Sequence, residues 1–264
     1  MKIKRLFAII GIAVFLFSCG NSENGLKVIN SGSFSDSNIT LDGALTQRLL
    51  PDSVVNISRQ SPILVKLGES ILATQKLRKD QSDSLWNEVS ASWYRFGKNR
   101  LSILSADSLS NSKATAIACK WADLNIALLK LSGEVRFGDA IEDLIYKNQS
   151  PIFTEKQLKS IIYTHIDDQI FINVIGSSSL THQHTTGGTI KLIQETDYPK
   201  SNEMTLKCES NDVRFLDVFI RIPEWAINPT VSYGNVKYVA HPGEYCQVSR
   251  KWHDGDEFRI VLKN

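Results

Sequence analysis

The spacing of apolar residues changes along this chain, and the change divides it. From Pro62 to Lys79, PILVKLGESILATQKLRK places Leu64, Leu67, Ile71 and Leu72 on one stripe, with Pro62 suited to a first helical turn. The next segment, SDSLWNEVSASWYRFG, spaces Leu85, Val89 and Trp93 by four and offers Gly97 as its end. The clearest helical unit is ATAIACKWADLNIALLKLSGEVRFGDAIEDLIYKN, Ala114 to Asn148. Trp121, Leu124, Leu128 and Leu131 form one apolar face, while Cys119, Ala122, Ile126 and Leu129 form a second on nearly the other side. A helix apolar on two sides is buried between neighbours, as in helical barrels. Ser-Gly-Glu breaks it, and a shorter partner follows with Ile141, Leu144 and Ile145 inward.

From about Ser160 the pattern becomes that of strands. SIIYTHIDDQIFINVIG holds two β-rich runs around Asp167-Asp168, a hairpin signal. GGTIKLIQETDYP, NEMTLKCES, RFLDVFIRIP, TVSYGNVKYVA and GEYCQVSRKWHDGDEFRIVLK continue it, with Gly, Pro and Asn-Asp punctuation at the spacing of an antiparallel sandwich. Upstream, NSGSFSDSNITLDG (Asn30 to Gly43) is polar and predicts loop with one strand. The pattern predicts an α+β, two-part fold. A helical domain over 44–159 precedes an antiparallel β-sandwich over 160–264, and a tether and polar segment occupy 19–43.

The first residues alter the picture of where the chain works. Lys2, Lys4 and Arg5 form a basic region before an apolar run, Leu6 to Phe17. That run is shorter than the roughly 20 residues of a bilayer-spanning helix and suits a signal peptide, residues 1–18. It ends in LFSC, which matches a bacterial lipobox and predicts lipid attachment at Cys19. Nothing later is apolar enough to span, so contact with the membrane is expected through the lipid anchor only, on the periplasmic or cell-surface face of a bacterial envelope.

Composition adds mainly exclusions. A formal charge of +2 and no long Lys/Arg cluster argue against nucleic acid as a partner. Cys119, Cys208 and Cys246 are too sparse a set for a disulfide framework, although a Cys208–Cys246 bridge between strand-like segments is conceivable. His182 and His184 in THQHTTGG would face one side of a strand and could share a metal; with no third ligand evident, a solvated loop is the expectation. His165, Asp167 and Asp168 form a polar hairpin tip, where paired carboxylates serve as turn formers. Gly-rich phosphate loops, Gly-x-Ser-x-Gly elbows and His-Glu-x-x-His are not present.

Several phrases are more particular than propensity requires. FINVIGSSSL, IKLIQETDYP, FIRIPEWA and GEYCQVSRKWHDGDEFRIVL occur in that order, after a hairpin reading Trp121, Leu124-Asn125, Leu128 to Glu134, Phe137, Asp139, Glu142, Tyr146 and Asn148, with Lys147 inserted before the Asn. Order and wording resemble glycoside hydrolase family 127, the β-L-arabinofuranosidase-like enzymes, and their close relatives, over roughly Ala114 to Leu262. Most of these motifs read as architecture. Pro223 marks where a strand leaves its sheet, Trp225 and Trp252 are core anchors, and Gly255 supplies the positive φ of a tight turn.

The resemblance implies a Cys thiolate nucleophile held with zinc by two further cysteines and a glutamate, together with a carboxylate acid/base. It places those ligands in a Glu-Thr-Cys element before the hairpin and a Cys-Cys pair after it. With the register fixed on Trp121, this chain has Ala114-Thr115-Ala116 in place of Glu-Thr-Cys. Cys119 lies three residues further on, on a buried face, and reads as a small packed thiol. Only QSPIFTEKQLKS separates Asn148 from Ile161, and no Cys-Cys pair occurs. The acid/base position would fall near Arg95 to Ser112, which offers Asp107 but no glutamate; neither Asp107 nor Glu88 maps onto it.

The region before Ser150 has room for about five or six helices of the usual length, against about twelve in a complete six-hairpin α/α barrel. A partial, six-hairpin-type helical domain is expected. No catalytic, cofactor-binding or metal-ligating residue is assigned and no cofactor is expected. The leading expectation is a lipid-anchored pseudoenzyme with a role in glycan binding or utilisation, its partner a plant-type oligosaccharide or polysaccharide; assistance to a full-length neighbour and a gene remnant are the other forms of that reading. An active hydrolase using carboxylates and a non-catalytic interaction lipoprotein are the alternatives.

Overall fold

A computed structural model describes residues 26–49, 61–104, 111–147 and 151–263. The leader, Cys19 and Asp107 lie outside the described residues. After strands β1 (Gly32–Ser33) and β2 (Ile39–Leu41), the chain forms α1 (Pro62–Asp80), α2 (Asp83–Leu104), α3 (Asn111–Ser132), α4 (Val135–Tyr146) and α5 (Glu155–Ile162). Ten strands follow: β3 (Tyr163–Ile166), β4 (Gln169–Ile172), β5 (Ser178–Gln183), β6 (Thr189–Thr196), β7 (Glu203–Ser210), β8 (Arg214–Arg221), β9 (Ile227–Tyr233), β10 (Val236–Tyr238), β11 (Tyr245–Trp252) and β12 (Glu257–Lys263). The fold is α+β, a helical part followed by two sheets.

Each helix has a local cause. Pro62 opens α1, and its buried face is Leu64, Leu67, Thr74 and Leu77. Leu72 is instead 58% exposed, because one residue past Ile71 a helix has turned by about 100°. α2 does not stop at Gly97 as its sequence suggests. Phe96 and Trp93 pack on Trp121 with ring centroids 4.7 and 5.6 Å apart, so tertiary contact carries the helix past a residue whose intrinsic penalty is only about 1 kcal/mol. α3 is the central helix: Trp121, Leu124, Leu128, Leu131, Ala122 and Leu129 are all buried, with Cys119 and Ile126 half-buried. Gly133, at φ 67°, ends it and donates its N–H to Leu129 O at 2.8 Å. α5 begins with a capping box, Thr154 and Gln157 each satisfying the other's backbone N–H. That helix runs to Ile162 before the β3–β4 hairpin turns on Asp167, at φ 51°.

The strands form a five-stranded sheet, β1-β3-β4-β8-β11, and a seven-stranded sheet, β10-β9-β12-β7-β6-β5-β2. Among the described strands every pair is antiparallel except β4–β8. The chain leaves β4 for the other sheet and returns only at β8, so no hairpin imposes opposite directions on that pair. The polar N-terminal segment supplies two strands rather than one, an edge for each sheet, and buries Phe34 and Ile39. Trp252 is fully buried between the sheets and Trp225 half-buried, stacked on Tyr198. Pro223 follows the end of β8, and Gly255 takes φ 77° in the turn before β12.

One hydrophobic cluster runs through both parts. Ile141, Leu144 and Ile145 of α4 and Leu158, Ile161 and Ile162 of α5 join Leu192, Leu206, Trp252 and Phe258 of the sheets. Among the described residues no helix is long and apolar enough to cross a membrane. Cys208 and Cys246 are buried, in different sheets, and are free thiols, so the conceivable bridge is not formed.

Candidate functional site

The position where the resemblance would place a Glu-Thr-Cys element lies at the start of α3. Ala114 is half-buried and Ala116 buried, and both offer only methyl groups. The Cys119 thiol donates to Ile152 O at 3.6 Å. Burial first, and then the Asp123 carboxylate, push that thiol above its usual range, so it stays protonated at neutral pH. Zinc requires deprotonated thiols, imidazoles or carboxylates arranged around one point. Two methyls and one engaged thiol do not fit such an ion. Among the described residues no three His, Cys, Asp or Glu side chains converge as metal ligands.

A second constellation carries much more charge. Arg221, the last residue of β8, has a fully buried side chain. Its Nε donates to Asn173 O at 2.5 Å, and its two terminal nitrogens donate to Asp139 and Glu142 of α4. Asp139 and Glu142 are three apart and therefore share a helix face. Burial alone would disfavour the guanidinium charge; Glu142 and Asp139 overcome it and hold Arg221 above its ordinary value. Tyr198 donates to Glu142 Oε1 at 2.7 Å, the Glu224 N–H to Asp139 Oδ2 at 3.1 Å, and Tyr245 to Asn173 Oδ1 at 2.5 Å. Gly138 makes room for this: a Cβ there would lie 2.6 Å from Arg221 Cδ.

The phrases that looked merely architectural thus meet at one point. Asp139 and Glu142 come from the hairpin, Asn173 from FINVIG, Tyr198 from QETDYP, Arg221 and Glu224 from RIPEW, and Tyr245 from GEY. The network joins helices to sheet, and Arg221, Asp139 and Glu142 are each hydrogen-bonded within it. Sequence reading did not single out Arg221; the available signal was an arginine closing the otherwise apolar run VFIR before a proline.

The histidines behave differently from the expected solvated loop. His182 is buried, with Nε2 2.8 Å from Asp168 Oδ1, and His184 Nε2 lies 3.4 Å from Asp168 Oδ2. Thr185 donates its N–H to Asp168 Oδ1 at 3.1 Å and its hydroxyl to Oδ2. His184 Nδ1 accepts the Thr186 N–H at 3.1 Å, which assigns the proton to Nε2. Asp167 makes the turn, as expected, whereas Asp168 clips the β3–β4 turn in one sheet to the β5–β6 hairpin in the other. His165 stacks on Phe34 at 4.4 Å instead of joining Asp168. Desolvation lowers the His182 pKa despite its carboxylate partner. Asp168 already accepts several donors, so the pair reads as a clip between sheets.

Glu88 has a distinct setting. It lines a cleft of about 490 Å³ between α1 and α2, together with Lys66, Glu69, Arg95 and Phe96, above Leu124 of α3.

Comparison with known proteins bears on these features. Residues 169–263 match the family model described as β-L-arabinofuranosidase, GH127 middle domain. A solved structure of Ara127N-Se, a GH127 β-L-arabinofuranosidase from Geobacillus stearothermophilus T6, is 16% identical with a TM-score of 0.60, over 74% of this chain and 41% of that one. A structure described as a glycoside hydrolase is 20% identical with a TM-score of 0.51, over 56% of this chain and 32% of that one. No curated protein matches. The chain therefore spans less than half the length of these two structures and shares their fold over that part. With the family model matched over residues 169–263 and the helical hairpin folded against that part, this chain is similar to the GH127 β-L-arabinofuranosidases in its middle-domain sequence and in fold.

Proposed function

We propose that this chain is a lipid-anchored relative of the GH127 glycoside hydrolases that takes part in glycan binding or utilisation and does not hydrolyse by the zinc–thiolate route. The observation that carries this reading is the start of α3. Ala114 and Ala116 stand where the resemblance calls for metal ligands, and the nearby Cys119 thiol is protonated and hydrogen-bonded to Ile152 O. The family match supports a carbohydrate ligand, with plant-type oligosaccharides or polysaccharides as the proposed class. Lipid attachment at Cys19 and a place on the bacterial cell envelope belong to the same proposal and rest on the LFSC leader pattern.

The test combines metal analysis of the purified protein with an aryl β-L-arabinofuranoside assay. Zinc well below one equivalent and no turnover are expected. Stoichiometric zinc with turnover that vanishes in Cys119→Ser would overturn the reading. For the anchor, Cys19→Ala is expected to move the protein from the membrane to the soluble fraction.

A second reading, hydrolysis through carboxylates on the same scaffold, is favoured by one feature: Glu69 and Glu88 line a single cleft. Zinc-independent turnover lost in both Glu69→Gln and Glu88→Gln would select it.

A further inference from the structure

We propose that the cleft between α1 and α2 binds a short neutral saccharide, at a place separate from the position where the family's metal ligands would stand. This rests on the glycan reading above and gives it a location. The cleft encloses about 490 Å³, within the range of small-molecule sites of roughly 300–1,000 Å³. Leu124, on its floor, follows Ala116 by eight residues, about 12 Å along the α3 axis.

The lining chemistry sets the ligand class. Glu69 and Lys66 project from α1, Glu88 and Arg95 from α2, so each wall carries one acid and one base. Carboxylates only accept hydrogen bonds, while ammonium and guanidinium groups only donate. A sugar hydroxyl does both, so a neutral polyol satisfies either sign without bringing a charge of its own. A charged ligand would meet one repelling group for each attracting one. Phe96 and Leu124 give the cleft an apolar floor that suits the C–H face of a sugar ring. All four charged side chains are exposed, and among the described residues no ion pair ties up Lys66, Glu69 or Glu88. Those groups are thus available to a ligand, in contrast to Asp139, Glu142 and Arg221, which saturate one another.

The experiment titrates the full-length chain in mild detergent with neutral trisaccharides of arabinose, xylose and glucose, and with trigalacturonate as a charged control, by calorimetry. At least one neutral trisaccharide is expected to bind, and more tightly than trigalacturonate. Glu69→Gln and Glu88→Gln should each weaken binding by about five- to tenfold, because each replaces a charge-assisted hydrogen bond with a neutral one. Ser92→Trp, which fills the cleft, should abolish binding. Melting temperatures report whether each variant folds, and the two exposed Glu→Gln changes keep the test open should Ser92→Trp misfold. Unchanged binding in the Glu69→Gln/Glu88→Gln double variant overturns the cleft while leaving the glycan reading intact. Tighter binding of trigalacturonate overturns the neutral class. Failure of every neutral trisaccharide to bind the wild-type chain removes both.

Discussion

The junction around Arg221 and the first turns of α3 compare in opposite ways with the family pattern that the sequence resembles. At the junction the matching residues are present and saturated: Asp139, Glu142, Asn173, Tyr198, Arg221 and Tyr245 form one hydrogen-bonded set. At the start of α3 the matching positions hold Ala114 and Ala116. The energetic asymmetry between the two places is large. Removing one member of a buried ion network strands the rest as uncompensated charges, at about 3–5 kcal/mol. Replacing a metal ligand on a helix by alanine removes chemistry and improves intrinsic helix propensity. Substitution at the start of α3 is therefore energetically cheap, whereas substitution at the Arg221 junction is costly.

That contrast is best broken at Arg221. Arg221→Met leaves Asp139 and Glu142 buried without a cation and is expected to lower stability by about 3–5 kcal/mol in urea unfolding. Changing all three to Met, Asn and Gln should recover part of that loss; a single variant costing under about 1 kcal/mol would make the network incidental. Gly138→Ala places a methyl against Arg221 Cδ and should cost about 1–3 kcal/mol. It tests whether the junction tolerates any displacement.

Acidification addresses the Asp168 clip. His182 has its pKa lowered from 6.5 by burial, so as pH falls below about 6.5 the unfolded chain takes up that proton before the folded one. Stability from His182 is thus full above that pH and declines until the lower folded pKa is passed. The Asp168 pKa is lowered from 3.8 by hydrogen bonds from Thr185 and His182, which outweigh the opposing desolvation. Its contribution is present above about 3.8 and is lost as pH falls through the folded value. Urea midpoints at pH 7.5, 6 and 5 should fall in that order, and His182→Gln should flatten the upper part of the slope.

The smallest effects are expected where the family's chemistry would have been. Ala114→Glu with Ala116→Cys installs the Glu-Thr-Cys motif but not the Cys-Cys pair, and should bring neither stoichiometric zinc nor turnover, by metal analysis and aryl-arabinofuranoside assay. Cys119→Ala should change stability by no more than about 1 kcal/mol, since it removes one weak S–H donor from a half-buried site. Stoichiometric zinc in the double variant would mean that other residues can complete a site.

Legibility in the sequence followed the range of the interactions. The helices α1 to α4, the Asp167 turn and the bend at Gly255 were visible, because each depends on a residue and its near neighbours; α5 was not, and Ser160 to Ile162, which read as strand, complete that helix. The end of α2 was misread at Gly97, since the contacts of Trp93 and Phe96 with Trp121 reach across to another helix. The histidines were misread as solvated, because Asp168 reaches them from a different sheet. Glu88 had no sequence partner, and only the folding of α1 against α2 brought Glu69 beside the same cleft.

By itself the sequence determined the change from helical to strand periodicity, the principal turn and cap residues, and the absence of a Glu-Thr-Cys element before the hairpin. Tertiary structure alone decided that β4 and β8 run parallel, that the N-terminal segment closes an edge of both sheets, and that separate phrases converge on a buried guanidinium. The reason is physical. Periodicity records which face of a segment avoids water, whereas the choice of neighbour is set by contacts between residues far apart in the chain, which no local pattern encodes.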